Sequence, residues 1–387
     1  GLMVLLSPQS TISLSSSFNV NESSLPIPAT VIAQAPGFWE IISKNRSSLD
    51  EIVRSNPSLA MGGFFSKYPM MVAFEIRSRV FLKDVQRAFT SESLNITIDR
   101  NRLLFDSFRA LAMIPPSKML GQLHVTYKNE RGIDAGGLRR DFITKLVAEI
   151  FNPDYALFRA SENGLSYEPN LSSYVNLAEH IQYFKMAGRV IARAILMEIP
   201  VEAHLTAAFI KQILGLGVTL RDLETVDLQL HDSLKYLLDN SVDDIGLYFT
   251  RDYEDLGQRK TVELIPDGKT TPVTNENKQQ YVDLMVRHRL ITQVKEQTDA
   301  FVTGFHSLIP KEKLKRLSAQ ELDLIICGLP NIDIDDLLAN CQFCAPYNSS
   351  HPTIVSLFKI FRRWDKQTMA KFLLFLTGSS QVPVGGF

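Results

Sequence analysis

Cysteine is scarce in this chain, three among 387 residues. That is too few, and an odd number, for a disulfide framework, which favours a reducing compartment, cytosolic or nuclear. Net charge is nearly absent too. Lysine plus arginine number 41 against 42 aspartate plus glutamate, so no global basic field of the kind that holds a polyanion covers the molecule, and no nucleic-acid partner is expected. The opening GLMVLL is apolar but has no basic flank and falls far short of a bilayer's thickness, so no membrane attachment is expected either. Familiar catalytic signatures are missing: no Walker-type glycine-rich loop with its lysine, no HExxH, no EF-hand loop and no GxSxG. P-loop phosphoryl transfer, zinc proteolysis and α/β-hydrolase chemistry go with them. No cofactor is expected.

What is present is enough apolar residue, 45% of the chain, to build cores for more than one domain. The chain starts at Gly1 rather than methionine, which points to a cut or processed end of something longer. Residues 1–36 are rich in Ser, Thr, Asn and Pro with a single charge, Glu22, and read as a linker or poorly ordered lead-in. Helical periodicity begins after them, with Phe38, Ile41, Ile42, Leu49, Ile52 and Val53 at three- and four-residue steps. LHVTYKNERGIDAGG (123–137) reads as a strand running into a glycine-bearing turn. A helix should follow, with Leu138, Phe142, Leu146, Ile150 and Phe151 on one face. Another covers about 179–197, with Phe184, Ala187, Ile191 and Ile195 inward. Leu230, Leu234, Leu237 and Leu238 form a further stripe, and one long helix starting near Thr274 is expected to carry Tyr281, Leu284, Met285 and later Phe301. Ser318 and Glu321 stand at capping-box spacing before an apolar run, with Gly328 where a helix should end and Pro330 where it cannot continue. A domain boundary is expected there. Two short helices and an extended SQVPV follow, making the whole a mainly helical α+β chain with a large first domain and a small second one.

The three cysteines divide by context. Cys327, in LIICG at the end of an amphipathic helix, reads as a small core hydrophobe. Cys341 and Cys344 form CQFC, the spacing of a redox pair or half a zinc site. Only His351 is near as a further ligand and no βαβ context surrounds the pair, so two loop thiols are the preferred account and no metal site is expected. The seven histidines are scattered, with no cysteine or serine at a motif-like offset. GIDAGGLRRDF (132–142) is the most unusual stretch: a turn opening a helix, either an anion-binding N-terminus or, preferred on turn chemistry, a structural corner.

GIDAGGLRRDF also resembles the glycine-aspartate-glycine-glycine signature of HECT-type ubiquitin ligases. The resemblance continues in order through FNPDYALFRAS, YFKMAGRVIARAI, PVTNENKQQYV, GFHSLIP, ELDLIICGLPNIDIDDL and AKFLLFLTGSSQVPVGGF. It covers the chain from about residue 38, and the 38–90 region resembles the helical entry to the domain in very large HUWE-like members. It implies a bilobal α+β HECT domain: a large N-terminal lobe (37–328) with a conjugating-enzyme-binding subdomain at about 216–300, a hinge at Gly328, Leu329 and Pro330, and a partial C-terminal lobe (331–387). The partners it implies are a ubiquitin-conjugating enzyme, ubiquitin and protein substrates, in cytoplasm and also nucleus. The groove for the conjugating enzyme would map to Leu230, Ser233, Leu234, Leu237, Ile245, Leu247, Tyr281 and Met285, although periodicity alone fits the leucines of 230–238 all being core as well. The family's nucleophile follows a threonine-histidine-threonine-cysteine motif, which this sequence does not contain. The resemblance therefore assigns no catalytic residue, and places the nucleophilic cysteine beyond Phe387. A pseudo-ligase or interaction module that only docks a conjugating enzyme is the rival reading.

Overall fold

Alternation and 3.6-residue periodicity are realised in the computed structural model as a mainly helical α+β molecule. It describes residues 37–384 apart from 38, 39, 42, 43, 57–68, 131–135, 163, 243, 244, 330, 331, 378 and 379. The lead-in, most of the GIDAGG turn and Pro330 lie outside the described residues. In chain order the elements are α1 (Arg46–Ser55), α2 (Phe74–Gln86), β1 (Ser93–Ile98), α3 (Leu103–Leu111), β2 (Gln122–Tyr127), α4 (Gly137–Ile150), β3 (Phe158–Ala160), β4 (Tyr167–Pro169), α5 (His180–Leu196), α6 (Ala207–Leu214), α7 (Leu228–Asp239), β5 (Thr250–Asp255), β6 (Gln258–Glu263), α8 (Lys278–Leu290), α9 (Lys295–His306), α10 (Ala319–Cys327), α11 (Ile334–Asn340), α12 (Pro352–Phe361) and α13 (Lys366–Thr377), with short helical turns between them. Among the described residues no helix is long and apolar enough to cross a membrane.

The main core is organised around α5. Its residues Phe184, Ala187, Val190, Ile191, Ala194 and Ile195 are all buried, as its periodicity requires. Against it lies α9, and the two backbones approach so closely that side chains are excluded at the crossing. A Cβ on Gly188 would sit 2.0 Å from the carbonyl oxygen of Phe301, and one on Gly304 1.9 Å from that of Lys185. Phe301 and Phe305 fill the space on either side, both fully buried. On the other flank β1 and β2 pair in parallel, Ser93 opposite Gln122 through Ile98 opposite Tyr127. A parallel pair needs a crossover, and α3 supplies it. Alternate residues Leu94, Ile96, Ile98 and Leu123, Val125, Tyr127 point into the core.

Two buried polar straps tie outlying pieces to this centre. Arg77 on α2 donates to both carboxylate oxygens of Glu321, to the carbonyl of Val72 and to that of Arg316. Glu321 in turn accepts from the Ser318 N–H at 2.9 Å, and the Ser318 hydroxyl accepts from the Glu321 N–H, so the expected capping box of α10 is formed and then buried under an arginine. Arg289 on α8 grips Glu168 of β4 with two bonds of 3.0 and 2.9 Å and donates Nε to Asp227.

The periodicity misleads at two places. The helix expected to run on from Thr274 is interrupted between α8 and α9 by a tight turn at Thr292–Val294. The break lets Tyr281, Val282, Met285 and Val286 face one apolar cluster and Phe301 and Phe305 another. On α1 only Val53 is buried, packed with Val72, Ile76 and Val80. Ile52 on α1, and Ile41 before it, stay exposed.

Gly304→Ala and Gly188→Ala should each cost about 1–3 kcal/mol or more, because the obstructing atoms are backbone carbonyls that cannot rotate aside. Gly137→Ala, whose methyl would meet nothing, should shift stability by no more than about 1 kcal/mol. Urea denaturation compares the three, and equal midpoints would disprove the close-approach account.

Candidate functional site

The joint at the end of α10 depends on one glycine. Gly328 has φ +83° and ψ −179°, a region where a side chain is strained. A Cβ there would stand 2.6 Å from the Val382 carbonyl oxygen. Leu329 donates its N–H to that same oxygen at 2.8 Å, forming an antiparallel bridge with Val382. Val384 joins the main core. The extended segment expected near the chain's end therefore folds back across the joint. Past the joint, Leu337, Ile354, Phe358, Phe361 and Met369 form an apolar cluster of their own, edged by Trp364 and Phe372.

A second cluster lies under α7 and α8, containing Leu223, Val226, Leu234, Val242, Phe249, Val273, Tyr281, Val282 and Met285. Six of the eight groove residues named from the resemblance belong to it. Leu234, Tyr281 and Met285 are buried within it, while Leu230, Leu237 and Leu247 pack half-buried at its edge. Tyr281, one of the positions that the resemblance maps to the groove, is 5% exposed and set edge-on to Phe249 at 5.5 Å. The spacing that aligns Tyr281 with Met285 turns both toward α7 rather than toward solvent. Ser233 and Ile245 alone of the eight are exposed, and the Ser233 hydroxyl is committed to the Gln229 carbonyl at 2.8 Å. Large exposed side chains of this region include Leu228, Tyr236, Ile245 and Tyr248. Tyr236 sits off the leucine stripe, on the side of α7 that faces solvent.

The three free cysteines differ in their surroundings. Cys327 is 2% exposed, and burial, with the Asp323 carboxylate added to it, pushes its thiol far up. Cys341 lies half-buried against the cluster beyond the joint, and burial raises it too. Cys344 is exposed. An activated thiol needs a cationic partner or a helix N-terminus to hold the thiolate. His351, the nearest candidate ligand for CQFC, is occupied as the cap of α12, accepting the Thr353 N–H at 3.2 Å.

The GIDAGG turn delivers Gly136 in a left-handed conformation, φ +114°, directly before α4. Beside it Arg139, Arg140 and Arg193 line a cleft of about 580 Å³. Arg193 donates to the carbonyls of Met119 at 2.9 Å and Gly121 at 2.6 Å, which fixes the loop between α3 and β2. Burial lowers it to about 10 and lowers Arg140 as well. Asp141 faces elsewhere, bonded to Arg100, Tyr127 and Lys145.

Comparison with known proteins agrees with this architecture. Residues 144–387 match the family described as HECT-domain (ubiquitin-transferase). The chain is 38% identical over 362 residues to an E3 ubiquitin-protein ligase TOM1-like of Neurospora crassa, covering 90% of this chain and 9% of that protein. It is 34% identical over 391 residues to the E3 ubiquitin-protein ligase HUWE1 of Mus musculus, covering 99% and 9%. With E3 ubiquitin-protein ligase UPL2 of Arabidopsis thaliana it shares 37% over 363 residues, covering 90% and 10%. The chain thus spans about a tenth of the length of these relatives.

The second cluster should carry a pH signature. His288 Nδ1 lies 2.9 Å from Nη1 of Arg251, so it must accept there and the ring must be neutral. Burial, then the Arg251 charge, push its pKa from 6.5 to about 4. A histidine depressed on folding contributes stability fully above its unfolded pKa, and that contribution is lost as pH falls through the folded value. Denaturant midpoints should therefore fall between about pH 6.5 and 4, and His288→Gln should flatten the fall. Parallel wild-type and variant profiles would sink the assignment.

Proposed function

The chain belongs to the HECT-domain (ubiquitin-transferase) family, and we propose that it is the transferase domain of a ubiquitin-protein ligase. The match from residue 144 to 387 carries the reading, because it runs through the second cluster, the joint and the cluster beyond it. In the whole protein a ligase thiolate attacks the conjugating enzyme's thioester carbonyl, and that enzyme's thiolate leaves. A substrate lysine amine then attacks the new thioester, forming the isopeptide, releasing the ligase thiolate and giving its proton to solvent. Both steps exchange an already activated acyl group, so the protein's contribution is positioning. Gly328, with an independent apolar cluster on its far side, is suited to reorienting one body against the other.

The conjugating enzyme docks, in this reading, on the outer face of the second cluster, where Ile245, Tyr236 and Tyr248 give exposed apolar anchors. The buried members of the proposed groove support that face from beneath. The thiol that carries ubiquitin is none of Cys327, Cys341 and Cys344, since two are raised by burial and Cys344 lies in a loop with no cation bonded to it among the described residues. The same observation is what favours the rival reading, a module that docks a conjugating enzyme without chemistry.

Two measurements test this. Mixing this chain with a ubiquitin-charged conjugating enzyme should give no thiol-labile adduct on a non-reducing gel, whereas the whole protein should give one. An adduct on this chain lost in Cys344→Ser would overturn the cysteine assignment, and no adduct on the whole protein would favour the docking module. Separately, Ile245→Asp should weaken conjugating-enzyme binding about tenfold or more with an unchanged melting temperature. Unaltered affinity would remove the docking face.

A further inference from the structure

His204, Asp323 and Cys327 come from two segments that the sequence keeps far apart; His204 and Asp323 are separated by 119 positions. The fold brings one donor atom from each to within 4.8 Å of the others. The Cys327 Sγ lies 3.6 Å from Asp323 Oδ1, and His204 Nδ1 lies 3.4 Å from Asp323 Oδ2. These spacings can be set against a tetrahedral zinc shell. With Zn–S near 2.3 Å and Zn–N or Zn–O near 2.0 Å, neighbouring donors stand about 3.2–3.6 Å apart; the sulfur and the nitrogen here face different oxygens of Asp323, and a rotation of that carboxylate is what would present one oxygen to both.

The donors also stand on rigid supports. Asp323 and Cys327 are four residues apart on α10, and so on one face. The helix is anchored by the buried Arg77–Glu321 pair and its capping box. The segment carrying His204 is pinned on both sides, with Val201 N–H donating to the Ile326 carbonyl at 3.0 Å and Tyr167 N–H donating to the His204 carbonyl at 2.7 Å. Sites on fixed elements hold ligand geometry better than sites on loose loops. The Glu202 carboxylate, bonded to the Ser380 hydroxyl at 2.6 Å, adds negative charge beside the trio.

We propose that His204, Asp323 and Cys327 form a transition-metal site, selective for zinc, beside the joint at Gly328. One sulfur, one nitrogen and one carboxylate oxygen suit zinc and disfavour the all-oxygen ions calcium and magnesium. Three protein ligands leave a fourth position for water. On binding, the Cys327 thiol gives its proton to solvent and the imidazole presents a bare nitrogen to the metal. Exposure of His204 provides the entry path, and buried Cys327 closes the inner side. The ion would clamp the 201–205 segment to the end of α10, one residue from Gly328. This goes beyond ubiquitin transfer and does not depend on it.

Cobalt(II) reports on the site directly, because a cobalt–thiolate bond gives a near-ultraviolet charge-transfer band. The purified chain, stripped with chelator, should bind stoichiometric cobalt with that band, lose the band on addition of zinc, and melt at a higher temperature with zinc than without. Cys327→Ser should abolish the band. His204→Ala, a change at an exposed side chain with little effect on folding, should weaken cobalt binding about 10–100-fold, the loss typical even of an outer-shell partner. The double variant Cys341→Ser, Cys344→Ser should keep the band, which separates this site from the CQFC pair. Absence of a band in the wild-type chain, its survival in Cys327→Ser, or unchanged affinity in His204→Ala would each overturn the proposal, the trio then being a hydrogen-bonded cluster only.

Discussion

The close backbone approach where α5 crosses α9, at Gly188 and Gly304, constrains the core around it. Carbonyl oxygens at 2.0 and 1.9 Å from the absent Cβ positions leave no room for even a methyl group. The gain is that the aromatic side chains on either side can interlock: Phe158, Phe184, Phe209 and Phe301 meet in tilted and edge-on pairs. Such pairs add to the transfer energy of the buried rings. β1, β2, α4 and α6 then pack on a centre whose shape is already set.

Around that centre the remaining pieces are attached by polar bonds as well as by area. Arg77 reaches from α2 to Glu321, and Arg289 from α8 to Glu168. Buried ion pairs add little net stability once desolvation is counted, but a misplaced partner leaves a buried charge unpaired, which is costly. Their contribution is therefore to register. Arg77 sets how α10 enters the core, and so where Gly328 emerges; Arg289 sets how the second cluster sits on β4. Arg77 thus lies outside the joint that it positions, whereas Arg289 is itself part of α8 and ties the second cluster to β4.

The same arrangement separates rigid from adaptable parts. The second cluster and the cluster beyond Gly328 each have their own apolar centre, whereas the bonds across the joint among the described residues include the Leu329–Val382 bridge and the Ser380–Glu202 hydrogen bond, together with the packing of Val384. Few bonds across a boundary is the condition under which one body can move against another. A metal clamp placed one residue from that boundary would act on the fixed side of it, stiffening the base from which the movement starts.

What the sequence determined by itself was local. The stripes of α4 and α5, the alternation in β2, the capping box at Ser318 and the glycine ending α10 are all legible, because helix and strand periods and cap chemistry involve residues a few positions apart. The family was legible as well, through motifs kept in order. Tertiary structure decided the rest. The parallel pairing of β1 with β2 and the break between α8 and α9 depend on which core each residue meets. Tyr281 reads the same whether its ring faces solvent or Phe249, and only packing turned it inward. Cys327 read as a simple core residue because nothing near it in sequence could share a ligand with it; folding put His204 beside it. Periodicity specifies the face of an element, but not what will stand opposite that face, and the chemistry of this chain lies in what stands opposite.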